Sequence, residues 1–201
     1  MNLFIPLALI SFAAYLVKAH YQRKRIVLLS QHLVPYQIDQ RMADITEGYM
    51  RALGEIDGAR QEQILGLLHG SESKLCDQFK RFADAFNRLD ASQTRISRVP
   101  LGLPYADQLL PQFTLDFRKL LQVHAQGIEN AATNTAQRSP KDRAYVLLAE
   151  LLLMQHSCHW FCRSLSVASA RLVLRHQTRY TDALEAVAPE TRRAYMALVR
   201  G

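Results

Sequence analysis

The amino-acid sequence predicts an all-α protein, in which an apolar N-terminal helix precedes a bundle of several helices. Apolar residues recur at helical spacing along most of the 201-residue chain, and the alternating runs typical of β-strands are hard to find. The eight glycines and seven prolines stand mostly between these periodic segments. A hydrophobic fraction of 49% is that of a folded chain with a buried core.

The apolar N-terminal segment, residues 2–17, contains no charged side chain. As a helix that rises 1.5 Å per residue, its roughly sixteen residues extend about 24 Å, somewhat less than the ~30 Å hydrocarbon core of a bilayer. Lys18 follows, and its long side chain can reach the membrane surface. We therefore expect an uncleaved transmembrane anchor. A cleaved signal peptide and an apolar core helix of a soluble protein are the two alternatives.

Four basic residues follow the apolar segment, and residues 1–25 contain no acid. Positive residues remain on the cytoplasmic side, so we expect a single-pass protein of a bacterial inner membrane with its N-terminus outside and its domain in the cytoplasm. Residues 2–25 are the predicted lipid-contacting segment. The side chains expected to bind anionic head groups are Lys18, Arg23, Lys24 and Arg25.

Helix boundaries follow from capping residues, glycines and prolines. Pro35 predicts that the first helix ends near Val34. A stripe of aromatic and aliphatic residues from Leu75 to Leu89 predicts a core-facing helix. The predicted helices after the first are 39–53, 64–70, 71–89, 105–136 with a kink or restart at Pro111, 141–178, 180–187 and 191–199.

A segment with two prolines and one glycine, residues 99–104, divides the chain. Such a segment cannot continue a helix, so it predicts a linker. On this basis the chain consists of an anchor with its basic flank (1–25), a helical sub-bundle (26–98), the linker, and a second sub-bundle (105–201) that packs against the first.

The predicted helix 141–178 is the central helix of the bundle. Ser139 and Pro140 are a good helix-start signal. Between residues 144 and 170 the only formally charged side chains are Glu150 and Arg163, and apolar residues occur around the whole circumference. A helix of this composition is buried. We expect Glu150 to pair with Arg163 or Arg143, because an isolated buried charge is costly.

The central helix also carries the one local group of metal-ligating residue types. Cys158 and Cys162 are four residues apart, so a helix places both sulfurs on one face, near His159. Thiolates and imidazoles bind zinc, although Cys76 or His124 would have to complete the site. Free cysteines are also commonly buried as small apolar residues. We expect core packing here, with no metal and no cofactor.

Arginines recur every four residues at the end of the central helix, at Arg171, Arg175 and Arg179. They predict a basic stripe, which is either a solvated face or a site that contacts acidic lipid, an acidic partner or nucleic acid. The net charge of +7 lies in residues 1–25 and 141–201. This uneven distribution argues against nucleic acid as a partner.

The sequence contains no glycine-rich phosphate loop and no hydrolase or metalloprotease motif. The prediction is therefore a membrane-anchored, non-enzymatic helical adaptor whose basic cytoplasmic domain docks a protein partner or a second copy of itself. One alternative is a metal- or thiol-dependent helical enzyme that uses Cys158, His159 and Cys162. Another is a nucleic-acid-associated helical protein recruited to the membrane.

Overall fold

The computed structural model describes residues 4–100 and 102–201, and this part of the chain forms nine α-helices and one small sheet. The predicted fold class, an all-α bundle with an apolar N-terminal helix, is confirmed. The helices are α1 (Phe4–Leu33), α2 (Ile38–Leu53), α3 (Gly58–Asn87), α4 (Ala106–Leu109), α5 (Phe117–Ala132), α6 (Pro140–Cys162), α7 (Leu165–His176), α8 (Tyr180–Ala186) and α9 (Pro189–Arg200).

Helix α1 has two halves with different surroundings. Residues 4–20 are exposed along their whole length, whereas Leu29 and Leu33 in the second half are buried in the bundle. Among the described helices, α1 is the one that is long and apolar enough to cross a membrane, and its apolar window is 0% buried. The helix ends where Pro35 predicts, at a 3-10 turn formed by Val34–Tyr36.

Helix α3 is a single helix of 30 residues, where the sequence predicted two. Asp57 caps its start by accepting a hydrogen bond from the Ala59 N–H. The helix continues through Gly70, which open space surrounds. A glycine inside a helix costs only about 1 kcal/mol, and the buried stripe that includes Phe79 and Phe86 outweighs this cost.

The predicted helix 105–136 was wrong in its first half. Strand β1 (Arg95–Ser97) pairs antiparallel with β2 (Thr114–Asp116), and α5 begins only after β2. Pro111 has no N–H for a helix and opens a 3-10 turn instead. In the predicted linker, the described residues of 99–104 form neither helix nor strand.

The central helix is α6, and it ends earlier than predicted. Ser139 caps its start as expected, by accepting from the Asp142 N–H. The helix stops at Cys162, and Ser164 caps the separate helix α7 by accepting from the Val167 N–H. Serine favours such a capping position over a helix interior, so the chain turns here. Helix α6 packs against α1, α2, α3, α5, α7 and α8.

One hydrophobic core runs through both predicted sub-bundles. Phe86 from the first half lies 5.5 Å from Phe117 of the second, measured between ring centroids. Phe117 in turn stacks on Phe161 with ring centroids 4.5 Å apart. Residues before and after the predicted linker therefore contribute to one core.

The predicted partners of Glu150 were wrong. Arg143 donates instead to Glu72, at 2.7 Å, and Arg163 donates to Gln22, at 2.6 Å. The Glu150 carboxylate accepts from the Ala188 N–H at 3.1 Å, at the start of α9. Distant elements supply all three partners, so the local spacing on α6 does not indicate them.

Candidate binding groove

A groove of about 860 Å³ lies between α1 and α2 on one side and α7 on the other, with α6 as its floor. We call this cavity the groove. Its volume is typical of sites that hold small molecules. The first wall includes Ile26 and Leu29 of α1, and the opposite wall includes Arg171 and Arg175 of α7.

The floor of the groove is largely apolar, with the half-buried Gln155 and His159 as its polar residues. It includes Leu152, Met154 and both thiols predicted to lie on one face of the helix, Cys158 and Cys162. Burial raises the pKa of Cys162 to about 11 and raises the pKa of Cys158 well above its ordinary value. Both thiols are therefore protonated near neutral pH, and they contribute apolar surface rather than a nucleophile.

The wall formed by α7 is positively charged. Arg171 and Arg175 are exposed, and neither forms an ion pair with a described residue. His159 lies close to both: burial, followed by the charges of Arg171 and Arg175, lowers its pKa to about 4. Its Nε2 atom is buried and has no hydrogen-bond partner within the described part of the protein. The groove thus holds fixed positive charge beside an unpaired polar atom.

The wall formed by α2 carries the opposite charge. Asp39 and Glu47 line it, next to the apolar side chains of Ile38 and Met42. The groove is therefore polarised across its width, with carboxylates on one side and arginines on the other. An anion placed in it is attracted to α7 and repelled by α2.

The structure brings together only two of the three arginines in the predicted stripe. Arg171 and Arg175 line the groove, whereas Arg179 precedes α8 and pairs with Asp182, 2.9 Å away. Helix α7 ends at His176, and Gln177 has the left-handed backbone conformation, so Arg179 does not continue the helical spacing of Arg171 and Arg175. Only Arg171 and Arg175 therefore share one basic surface, and Arg179 is not part of it.

The weak metal candidates do not assemble into a centre. Within residues 4–100 and 102–201, no three His, Cys, Asp or Glu side chains are grouped so that they could hold a metal ion. His124 lies fully buried on α5, with its Nε2 2.9 Å from the Ser157 Oγ. Cys76 lies on α3, apart from Cys158 and Cys162.

Of the four predicted lipid-contacting residues, Lys18, Arg23 and Lys24 are exposed on α1. The prediction for Arg25 has to be corrected, because its side chain is only 9% exposed. Its guanidinium hydrogen-bonds Tyr21 and the Arg95 carbonyl, and its charged carbon lies 4.2 Å from the ring centroid of Phe161. It therefore joins α1 to the bundle and cannot contact lipid head groups.

Sequence reasoning missed the acidic wall and the role of Arg163, which also lines the groove. No local motif marks these residues, since four separate elements supply the lining. The heptad-like spacing of Ile38, Met42, Ile45 and Tyr49 does indicate which face of α2 is buried. No family model matches this chain, and no curated protein or solved structure matches it.

Proposed function

We propose that this protein is a membrane-anchored, non-enzymatic helical binding protein that presents the groove at the membrane surface. The observation that carries this proposal is the division of α1. Its first half is exposed and apolar, and the same unbroken helix continues into the core of the bundle.

The exposed half of α1 supports an anchor rather than a core helix. Phe4, Leu7, Ile10 and Phe12 are each at least 60% exposed. A soluble protein rarely presents so much contiguous apolar surface to water, whereas a bilayer buries it favourably. This surface lacks any contact with the described bundle, so membrane is its expected environment.

The second half of α1 supports an anchor that is not cleaved from the protein. Gln22 and Arg25 are buried and bonded to the bundle only a few residues after the apolar segment. An anchor continuous with such a helix holds the bundle close to the bilayer. The exposed cations Lys18, Arg23 and Lys24 favour a cytoplasmic bundle, by the preference of positive residues for that side.

The groove supports a binding role. It offers an apolar floor, protonated thiols and fixed charge on its walls, and these features serve to hold a ligand rather than to make or break bonds. The basic wall favours an acidic or anionic partner, in line with the expectation from the sequence.

Membrane fractionation of the full-length chain tests the anchor. We expect the wild-type protein to remain in the membrane fraction after an alkaline wash, and Leu9→Arg combined with Ile10→Arg to release it. Leu174→Arg is the control, because Leu174 is an apolar residue of the bundle surface that is even more exposed than Leu9 and Ile10. A wild-type protein in the soluble fraction, or a double variant that stays in the membrane, refutes the anchor.

Labelling of introduced cysteines tests the orientation. The native cysteines are buried, so Glu62→Cys reports the bundle and Phe4→Cys reports the N-terminus. In intact cells a membrane-impermeant maleimide should modify the second variant and spare the first. The reverse pattern contradicts a cytoplasmic bundle.

A further inference from the structure

We propose that the groove binds a single-chain anionic lipid, with its acid group at Arg171 and Arg175 and its acyl chain along the floor formed by α6. We build here on the proposed function, since the anchor is what places the groove beside a bilayer. The inference adds the chemical class of the ligand and the direction in which it lies.

The floor provides a track for an acyl chain. Four of the α6 residues that line the groove are buried and apolar or weakly polar, namely Leu152, Met154, Cys158 and Cys162, and the half-buried Gln155 and His159 are the two polar ones. Ten helical residues correspond to about 15 Å. This long, narrow apolar surface suits an extended hydrocarbon chain, and Ile26 and Leu29 of α1 flank it.

The charged wall provides a site for the acid group. Arg171 and Arg175 have no carboxylate partner within the described protein, and His176 lies beside them with its Nε2 2.9 Å from the Gln155 Oε1. Guanidinium groups bind carboxylates and phosphates by charge-assisted hydrogen bonds. Across the groove, Asp39 and Glu47 repel the same anion, so it is directed to α7.

The direction of the groove matches that of a lipid in the adjacent leaflet. Gln22 bonds Arg163, and Arg25 contacts Phe161, so α1 and α6 run antiparallel. The Cys162 end of the floor is therefore the end nearest the anchor. Arg171 and Arg175 lie farther along the floor, beside His159 and Gln155, which are about 5 Å and about 10 Å from Cys162 along α6.

A lipid of the cytoplasmic leaflet points its chain toward the midplane of the bilayer and its acid group toward the cytoplasm. In the groove, Arg171 and Arg175 likewise lie farther from the anchor than Ile26 does. Arg163 adds a cation at the near end, where it already donates to Gln22. Ile26, at the near end, is eight residues beyond Lys18, or about 12 Å along a helix. A lipid that rises out of the leaflet along α1 therefore enters the groove without reversing.

Native mass spectrometry of the full-length protein in detergent micelles tests the proposal. The probes are oleate, oleoyl lysophosphatidate and the uncharged oleyl alcohol, added to delipidated protein. We expect one equivalent of an anion to bind and the alcohol to bind at least tenfold more weakly. Binding of lysophosphatidate without oleate supports a phosphate head group, and binding of oleate alone or of both supports a carboxylate.

Two sets of variants locate the site. Arg171→Gln combined with Arg175→Gln should weaken anion binding about tenfold or more, whereas Arg179→Gln, outside the groove, should leave it unchanged. Ala43→Trp fills the groove from its exposed wall on α2 and should abolish binding without removing a charge. Far-ultraviolet circular dichroism checks that each variant is folded.

Equal binding of the alcohol, insensitivity to both sets of variants, or a polypeptide in place of a lipid overturns the proposal. Loss of anion binding in variants that still sediment with membranes is the expected pattern. A protein that sediments with membranes but binds no anion refutes the lipid site alone, so it leaves the anchor intact. A protein that fails to sediment refutes the proposed function instead.

Discussion

Arg25 and Asp107 form a buried ion pair that joins helix α1 to the short helix α4, with the Arg25 Nη1 3.7 Å from the Asp107 Oδ2. Tyr21 also donates to the Asp107 carboxylate, at 2.5 Å. The two side chains of the pair are only 9% and 6% exposed. This contact helps to fix the direction in which α1 leaves the bundle.

The first prediction concerns this ion pair. Arg25→Ala should lower the free energy of unfolding by about 3–5 kcal/mol, because it leaves the buried Asp107 carboxylate without a countercharge. Arg23→Ala, an exposed neighbour, should change it by no more than about 0.5 kcal/mol. Guanidinium denaturation in mild detergent, followed by fluorescence of the single tryptophan, measures both. Equal effects of the two variants contradict a structural role for Arg25.

The second prediction concerns Gly127, where α5 passes closely over α6. A Cβ atom at this position would lie 2.5 Å from the Thr191 Oγ1 and would also meet the Glu150 carboxylate. Gly127→Ala should therefore destabilise the protein by about 1–3 kcal/mol through overpacking. The matched control is Gly66→Ala in α3, which meets nothing within 4 Å. Gly66→Ala should stabilise the protein by about 0.5–1 kcal/mol. Changes of the same sign in the two variants would contradict overpacking at Gly127.

The third prediction concerns Glu150 and pH. Burial raises the pKa of its carboxyl from 4.5 to about 7. A carboxyl with a raised pKa binds its proton more tightly in the folded state, so its contribution to stability is full below pH 4.5 and is lost as the pH rises to about 7. The loss is about 3 kcal/mol. Glu150→Gln should remove this part of the pH dependence, measured by denaturation at several pH values.

Buried histidines give a slope of the opposite sign. Burial lowers the pKa of His124 to about 3 and that of His156 to about 4. These groups destabilise the fold as the pH falls below their ordinary pKa of 6.5. Between pH 4.5 and 6.5 the Glu150→Gln variant should therefore lose stability on acidification more steeply than the wild type. An unchanged slope would show that Glu150 titrates normally.

The fourth prediction concerns the thiols on the floor of the groove. With its pKa raised to about 11, Cys162 is a thiolate about a hundredfold less often than a thiol with the ordinary pKa of 9.0. A thiolate with a higher pKa is intrinsically more nucleophilic, which offsets part of this decrease. The alkylation of Cys162 should therefore be slower than that of an exposed thiol by about tenfold or more. The reference is Glu62→Cys on the exposed face of α3. Peptide mapping after timed alkylation measures the rates, and equal rates would rule out a buried Cys162.

Parts of the fold were predictable because the signals are local. Ser139 and Pro140 start α6 as expected, and Pro35 ends α1. The helix boundaries that were predicted wrongly lie where two local conformations of similar free energy compete. At Ser164 a cap replaced a continuing helix, and at Gly70 the packing of α3 kept a helix where glycine favours a turn.

The candidate site was predictable only as separate residues. Cys158 and Cys162 share a face of α6 as their spacing requires, and Arg171 and Arg175 share a face of α7. Arg179 lies outside this face, because α7 ends at His176 and the chain turns before α8 begins. The acids of α2 had no signal in the sequence that would connect them with these residues.

The sequence by itself determined the class of the fold and the uncharged segment at the start of α1, because both depend on the order of apolar and charged residues along the chain. Only the tertiary structure decided that Arg25 lies in the core while Arg23 and Lys24 are exposed. Arg25 shares the face of α1 that carries Leu29 and Leu33, and it finds Asp107, Tyr21 and Phe161 there. The groove was likewise decided by packing, since its floor and walls come from helices far apart in the chain.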